Sequence, residues 1–350
     1  MKELTALIAF SRLRSLSRIK KRQLVEGLPS IAPLFEGRSR LHDEAARAEI
    51  SAFKGSGDID AELITLEKMG AHVVTIKDEA YPASLKNTPD PPLVLYKLGP
   101  LSTEGDTIAI VGSRRATDEG MNLSEKIGDT LSALGITVVS GLARGIDASA
   151  HRGALNGPGK TVAVLGCGLD ICYPRENRKL FERVAEEGAV ITEYGLGEPP
   201  IPRHFPERNR IIAGLSKGVL VVEASERSGS LITARLGVEY GRSVMAIPGS
   251  IFNEEYKGAN ALIKQGAKLV DTIEDIIAEC FSGLKIIKKE PIDMDSTEDY
   301  IYSIIGHHRI HKDEVIEKSR MAAKDVMAVL TMLEMKEAIR EIAGGFYIRR

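Results

Sequence analysis

The sequence predicts an α/β fold: a parallel sheet wound with helices on both faces, preceded by a helical domain and followed by a winged-helix domain. Three observations carry this. Short, nearly pure apolar runs such as Thr107-Ile-Ala-Ile-Val111 and Val219-Leu-Val-Val222 recur between residues 107 and 270. Helical stretches separate them, and strands alternating with helices form a parallel sheet covered on both sides, which explains the continuous apolar character. At both ends of the chain the apolar residues fall at helical spacing instead.

Residues 1–75 read as an N-terminal helical domain. Leu4, Leu7, Ile8 and Leu16, then Ala61, Ile64, Leu66 and Met69, lie close to helical periodicity. The run Lys20-Lys-Arg22 reads as a solvated helix face. From Tyr81 to Gly99 the pairs Tyr81-Pro82 and Asp90-Pro91-Pro92 suggest a linker or an extended lead-in. Within the central domain, residues 76–283, strands follow at 107–111, 136–139, 162–165, 189–192, 219–222, 244–247 and 268–270. Helices intervene at 118–134, from about Ile146, at 178–187 and at 231–240. Residues 284–293, with Pro291 and several charges, form a linker. Residues 294–350 then hold helices at 298–305, 311–319 and 324–335 and two short strands around Gly344-Gly345, which is a winged-helix arrangement. Its third helix would be the reader of a DNA groove. It carries Lys324, Asp325 and Glu334, so a protein-contact role stands beside DNA reading.

The chain has 350 residues, 43% hydrophobic and 27% charged, the balance of a folded globular protein. A net charge of −2 excludes a global basic pull on nucleic acid, so any anion site must be a local patch. Cys167, Cys172 and Cys280 form no even framework and fit a reducing compartment. The apolar start is too short for a secretory signal, and no run is long enough to span a bilayer. A cytoplasmic protein without membrane association is expected.

Ligands of open parallel sheets sit beyond the carboxyl ends of the strands. Those ends read Gly112-Ser-Arg114, Ser140-Gly-Leu-Ala-Arg-Gly-Ile-Asp147, Gly166-Cys-Gly168, Glu193-Tyr-Gly195, the 223–230 turn containing Ser228-Gly-Ser230, and Pro248-Gly-Ser250. Six glycine-bearing turns, most of them with serine, suit backbone N–H donation to phosphate. The stretch Pro202–Arg210 reads as a basic loop, crowding Arg203, His204, Arg208 and Arg210 beside Phe205. With Arg114, Arg144 and Arg175 for charge, and Tyr173, Tyr194 and Phe205 for flat faces, the edge has what a single strand of bases requires. Internal pairing with Glu193, Glu207 and Glu223 is expected for some of these arginines. The stretch ending Gly159-Lys160-Thr161 has Ala154 where a P-loop needs glycine, and Ile171 stands at the third glycine of a dinucleotide fingerprint. No nucleophile elbow and no metal spacing appear, and His151 reads as a helix-face histidine. No cofactor and no metal are expected.

The segments Val111-Gly-Ser-Arg114, Ser140–Asp147, Tyr173-Pro-Arg-Glu-Asn177, Phe205–Gly214 and Ser228–Thr233 closely resemble the DNA-processing protein A (DprA/Smf) family, from about Tyr81 to Cys280. The resemblance implies an extended Rossmann-like domain that binds single-stranded DNA without sequence preference. It further implies a homodimer that protects incoming DNA and loads the RecA recombinase in natural transformation, with no established enzymatic activity. Position by position, it points to Gly112, Ser113, Arg114, Ser140, Gly141, Gly166, Tyr173, Arg175, Asn177, Arg208, Asn209 and Arg210 as DNA-binding residues. Leu262, Ile263 and Leu269 are the dimer candidates. Arg175 stands where lysine is usual, which keeps the charge with a different geometry. The family's helical hairpin would fall on Leu28-Pro-Ser-Ile-Ala-Pro33, which has Ser30 and Ala32 in place of glycines. The alternative is a nucleotide-binding enzyme of the phosphoribohydrolase type on a related fold. The turn Ser228-Gly-Ser-Leu-Ile-Thr233 lacks the Pro-Gly-Gly-x-Gly-Thr pattern of those enzymes.

Overall fold

Strands β1 (Ala71–Thr75), β2 (Val94–Leu98), β3 (Thr107–Val111), β4 (Thr137–Ser140), β5 (Thr161–Val164), β6 (Ala189–Thr192), β7 (Gly218–Val221), β8 (Ser243–Ala246) and β9 (Lys268–Leu269) form one sheet in the order β1-β2-β6-β5-β4-β3-β7-β8-β9. The structure, a computed structural model, describes residues 1–39, 41–53, 55, 57–100, 105–284, 294–305, 310–336, 338–342 and 344–349. These fall into two compact units, Met1–Leu284 and Lys285–Arg350. The linker expected at 284–293 lies, beyond Leu284, outside the described residues, as do His307 and His308.

From β6 to β9 the sheet is parallel, as the alternation of strands and helices requires. Strand β3 occupies the turning point. The chain leaves it toward β4, β5 and β6, then returns to pair β7 against its other edge. A crevice opens at the carboxyl end of such a strand because the flanking connections run to opposite faces.

The sheet is wider than the sequence suggested. β2 pairs antiparallel with β6, and β1 antiparallel with β2. The stretch read as a linker or lead-in thus ends in a sheet strand, with Leu93 to Tyr96 buried. The prolines before it hold the chain extended without blocking the ladder that begins after them.

The helices Glu3–Ser11, Arg18–Gly27, Glu44–Ser51 and Gly57–Lys68 contribute Leu7, Phe10, Val25 and Leu66 to the same apolar core as the sheet strands. The basic run on the second of these is not a fully solvated face. Lys21 is buried and donates to the Ser11 carbonyl, and burial lowers its pKa to about 8. In the Leu28–Pro33 turn, the N–H groups of Ile31 and Ala32 donate to the Glu3 carboxylate at 3.1 and 3.2 Å. A hairpin-type phosphate contact has no free donor at these two amides.

The second unit holds helices Ser296–Ile305, Lys312–Ser319 and Ala323–Met335 and a three-stranded antiparallel sheet. Its strands are β10 (Ile310–His311), β11 (Ile339–Ile342) and β12 (Phe346–Arg349), in the order β10-β12-β11. Ile301, Val315, Leu330 and Tyr347 fill its core. The third helix exposes Met327, Met332 and Met335.

Candidate nucleic-acid interface

The crevice beyond β3 is a cleft of about 570 Å³. Gly112, Ser113, Arg114, Tyr173, Phe205 and Ser228-Gly-Ser230 are among the residues that line it. Ser230 opens the Ser230–Glu239 helix, so the positive end of a helix dipole meets the cleft.

The basic stretch beside it is helical, not a loop. The His204–Leu215 helix starts inside it, with Pro206 in the first turn where its missing N–H costs nothing. That geometry divides the residues the sequence had crowded together. Phe205 turns into the cleft, Arg203 stays exposed, and His204, Arg208 and Arg210 are buried.

Arg208 is a buried residue of the cleft lining. It donates to the carbonyls of Gly141 (2.8 Å) and Val164, and burial pulls its pKa down to about 10. It therefore remains cationic at neutral pH. Asp147, also in the lining, accepts the Gly141 N–H at 3.2 Å, and burial raises its pKa against the opposing pull of Arg208. A Cβ at Gly141 would stand 2.4 Å from the Arg208 guanidinium and 2.7 Å from the Asp147 carboxyl, so a side chain there would displace both. Arg210 points away from the cleft and binds Glu193 and the Asp90 carbonyl, the latter at 2.7 Å. Ser140 is fully buried and donates to the Ile110 carbonyl. Asn177 donates to the Leu142 carbonyl at 3.0 Å, tying the Tyr173–Asn177 loop to the β4 turn. Asn209 donates to the Gly229 carbonyl at 3.3 Å. Of the twelve expected positions, Gly112, Ser113, Arg114, Tyr173, Arg208 and Asn209 line the cleft, and Ser140, Gly141, Gly166, Arg175, Asn177 and Arg210 do not.

Arg114, Tyr173 and Gly166 do converge. The Arg114 guanidinium lies 5.0 Å from the Phe205 ring centroid, and the Tyr173 ring lies 5.4 Å from it on a tilt of 39°. Gly166 backs the stack: a Cβ there would sit 3.1 Å from the Phe205 ring. Tyr173 is 42% exposed. Arg115, absent from the residues expected at the site, also lines the cleft. Its place directly after Arg114 at a strand end was the available signal. Arg175 stands exposed on the turn two residues beyond Tyr173, outside the cleft lining. Among the described residues no carboxylate pairs with Arg114, Arg115 or Arg175.

Behind the His204–Leu215 helix lies a second, larger cleft of about 950 Å³. Tyr194 belongs to it, stacked on His204 at 4.0 Å and donating to Glu207. Its charges are largely matched, Arg18 with Glu207 and Arg210 with Glu193. Of the expected internal pairing, Arg210 with Glu193 is found; Glu207 pairs with Arg18 instead, Arg144 pairs with Glu176, and Glu223 accepts the Thr117 N–H and hydroxyl. The other candidate groups for chemistry are buried. The His151 ring faces the Thr161 hydroxyl at 2.7 Å, with its pKa lowered to about 3 by burial. The Cys167 thiol is pushed up to about 12 by burial. Leu262 and Ile263 are half-buried and Leu269 is exposed. Among the described residues no helix is long and apolar enough to cross a membrane, and no group of side chains could hold a metal ion.

Comparison with known proteins agrees with this architecture. The model of the DNA recombination-mediator protein A family matches residues 72–281, and that of the DprA winged helix domain residues 288–345. Protein Smf of Escherichia coli (strain K12) is 38% identical over 299 residues, covering 82% of this chain and 80% of that protein. DNA processing protein DprA of Streptococcus pneumoniae is 46% identical over 206 residues, 59% of this chain and 73% of that protein. The X-ray structure of DprA from Streptococcus pneumoniae superposes with a TM-score of 0.69 at 37% identity, covering 78% of this chain and 96% of that one. DNA processing protein A from Helicobacter pylori, described as having a unique single-stranded DNA binding mode, superposes with a TM-score of 0.56 at 29% identity, covering 61% and 97%. With its sheet, its C-terminal unit and its strand-end motifs all matched, the chain belongs to the DNA recombination-mediator protein A (DprA/Smf) family.

Proposed function

We propose that this chain binds single-stranded DNA in the cleft beyond β3, protects it, and loads RecA onto it during natural transformation or related DNA processing. It acts in the cytoplasm as a homodimer and without covalent chemistry. One observation carries the binding reading: Arg114, without an ion pair among the described residues, and the ring of Tyr173 both lie against the Phe205 ring at the turning point of the sheet. Rings accept any base by stacking and the cations follow the backbone, so the recognition is indifferent to sequence. The buried states of His151 and Cys167 speak against their use as base or nucleophile. Membership of the family and the mediator role in its name support the RecA step.

Fluorescence anisotropy with labelled oligo(dT) across a salt series tests the binding. Affinity is expected to fall as salt rises, by a log–log slope of about −0.7 per phosphate neutralised. The double variant Arg114→Ala, Arg175→Ala is expected to lose binding. Unchanged binding there removes the proposed cleft. RecA filament assembly on oligo(dT) coated with single-strand-binding protein tests the second step; no acceleration by this protein removes it.

A further inference from the structure

The wall of the cleft that carries Ser113 is not uniformly attractive to phosphate. The Ser113 hydroxyl donates to the Glu255 carboxylate at 2.9 Å, and Glu255 lines the cleft. The same hydroxyl oxygen accepts the Arg115 N–H at 3.1 Å, so it is engaged in both directions. Glu255 is held in place by its own turn, the Glu254–Tyr256 turn, where its N–H donates to the Asn253 side chain at 3.0 Å. Among the described residues no cation pairs with it, because the neighbouring Lys257 pairs with Glu254. Behind Ser113 lies a second carboxylate, Glu223. Its pKa is raised mainly by burial, and the charge of Glu255 adds to that rise. The Ser113 corner thus holds a carboxylate that makes no ion pair among the described residues, beside the cation of Arg114 on the same turn.

Resting on the reading that the cleft holds a nucleic-acid strand, we propose that Glu255 is a specificity-determining residue that turns phosphate away from Ser113 and biases the cleft toward phosphodiesters over phosphate monoesters. A diester phosphate has one negative charge and can lie along the Arg114 side. A nucleoside monophosphate carries up to two charges at neutral pH on a group free to enter the corner, and the repulsion from a fixed carboxylate grows with that charge. The strand-end serine of this turn is then a support for the carboxylate, not a phosphate ligand. Nucleotides of the cell are kept from occupying a site built for a strand.

The test is displacement of labelled oligo(dT) by thymidine 5′-monophosphate and by the dinucleoside monophosphate dTpdT. The native chain, Glu255→Gln and Glu254→Gln are compared, with thermal melting as a check of folding. Glu254 is an exposed neighbour, so its variant makes the same change in net charge away from the cleft. The native chain is expected to prefer dTpdT. Glu255→Gln is expected to bind the monophosphate about threefold or more tighter and to narrow the preference, as removal of a nearby like charge requires. Glu254→Gln is expected to keep the native preference. An unchanged preference in Glu255→Gln overturns the proposal, and so does an equal shift in both variants, which would reflect net charge alone. Failure of the native chain to bind oligo(dT) at all is a different result and removes the underlying reading.

Discussion

The Arg114 guanidinium lies over the Phe205 ring, 5.0 Å from its centroid, and joins the end of β3 to the start of the His204–Leu215 helix. These two residues are 91 positions apart in sequence, by subtraction of their numbers. Among the described residues Arg114 makes no ion pair, and its contact with the ring limits its directions. It presents charge and a ring face from one place.

The two halves of this pair are separable by salt. Phe205→Ala is expected to weaken oligo(dT) binding by about 1–3 kcal/mol with the salt slope unchanged, since a ring contributes stacking. Arg114→Ala is expected to weaken binding and also to reduce the slope by about 0.7, as one phosphate contact is lost. Anisotropy titrations at four salt concentrations measure both. Equal slopes in the native chain and in Arg114→Ala would place that arginine off the backbone.

Arg208 is expected to behave as a structural cation. Its removal leaves the carbonyls of Gly141 and Val164 and the carboxyl of Asp147 without their partner. Arg208→Met should cost about 3 kcal/mol of stability, measured by urea denaturation. Arg208→Lys should recover little of this, because a single ammonium does not reproduce the fork that reaches two carbonyls. A native denaturation midpoint in Arg208→Met would return the residue to the list of direct DNA contacts.

His151 sets a pH dependence. Its folded pKa is lowered to about 3 from an ordinary 6.5, chiefly by burial, so the folded chain holds the ring neutral. A depressed folded pKa gives stability that is fully present above the unfolded value and is lost as pH falls toward the folded one. Between pH 7 and pH 4 this amounts to about 3 kcal/mol. Urea denaturation at both pH values should show the loss in the native chain, and His151→Leu should show a correspondingly smaller one. An identical pH dependence in the two proteins would mean that His151 titrates normally.

Much of the fold was legible because buried parallel strands have no solvent face. Thr107–Val111 and Ala189–Thr192 could be bounded from their apolar character alone. β1 and β2 escaped because prolines suggested a break, and because antiparallel pairing at an edge leaves no alternating signature in five residues. At the site, the strand-end turns and the aromatics could be read as a cleft. The division among arginines could not. Arg114, Arg208 and Arg210 are the same residue type in similar polar settings, yet the His204–Leu215 helix buries Arg208 and Arg210 while the turn after β3 leaves Arg114 exposed. Local sequence also placed no signal on Glu255, which meets Ser113 from 142 positions away by subtraction of their numbers.

The far edge of the large sheet has its own consequence. β9 spans only Lys268 and Leu269, so this border offers almost no ladder of free amides and carbonyls to another chain. Two copies that meet at this end cannot extend the sheet from one into the other. Their contact must be made by side chains such as the exposed Leu269, which can be tuned one substitution at a time.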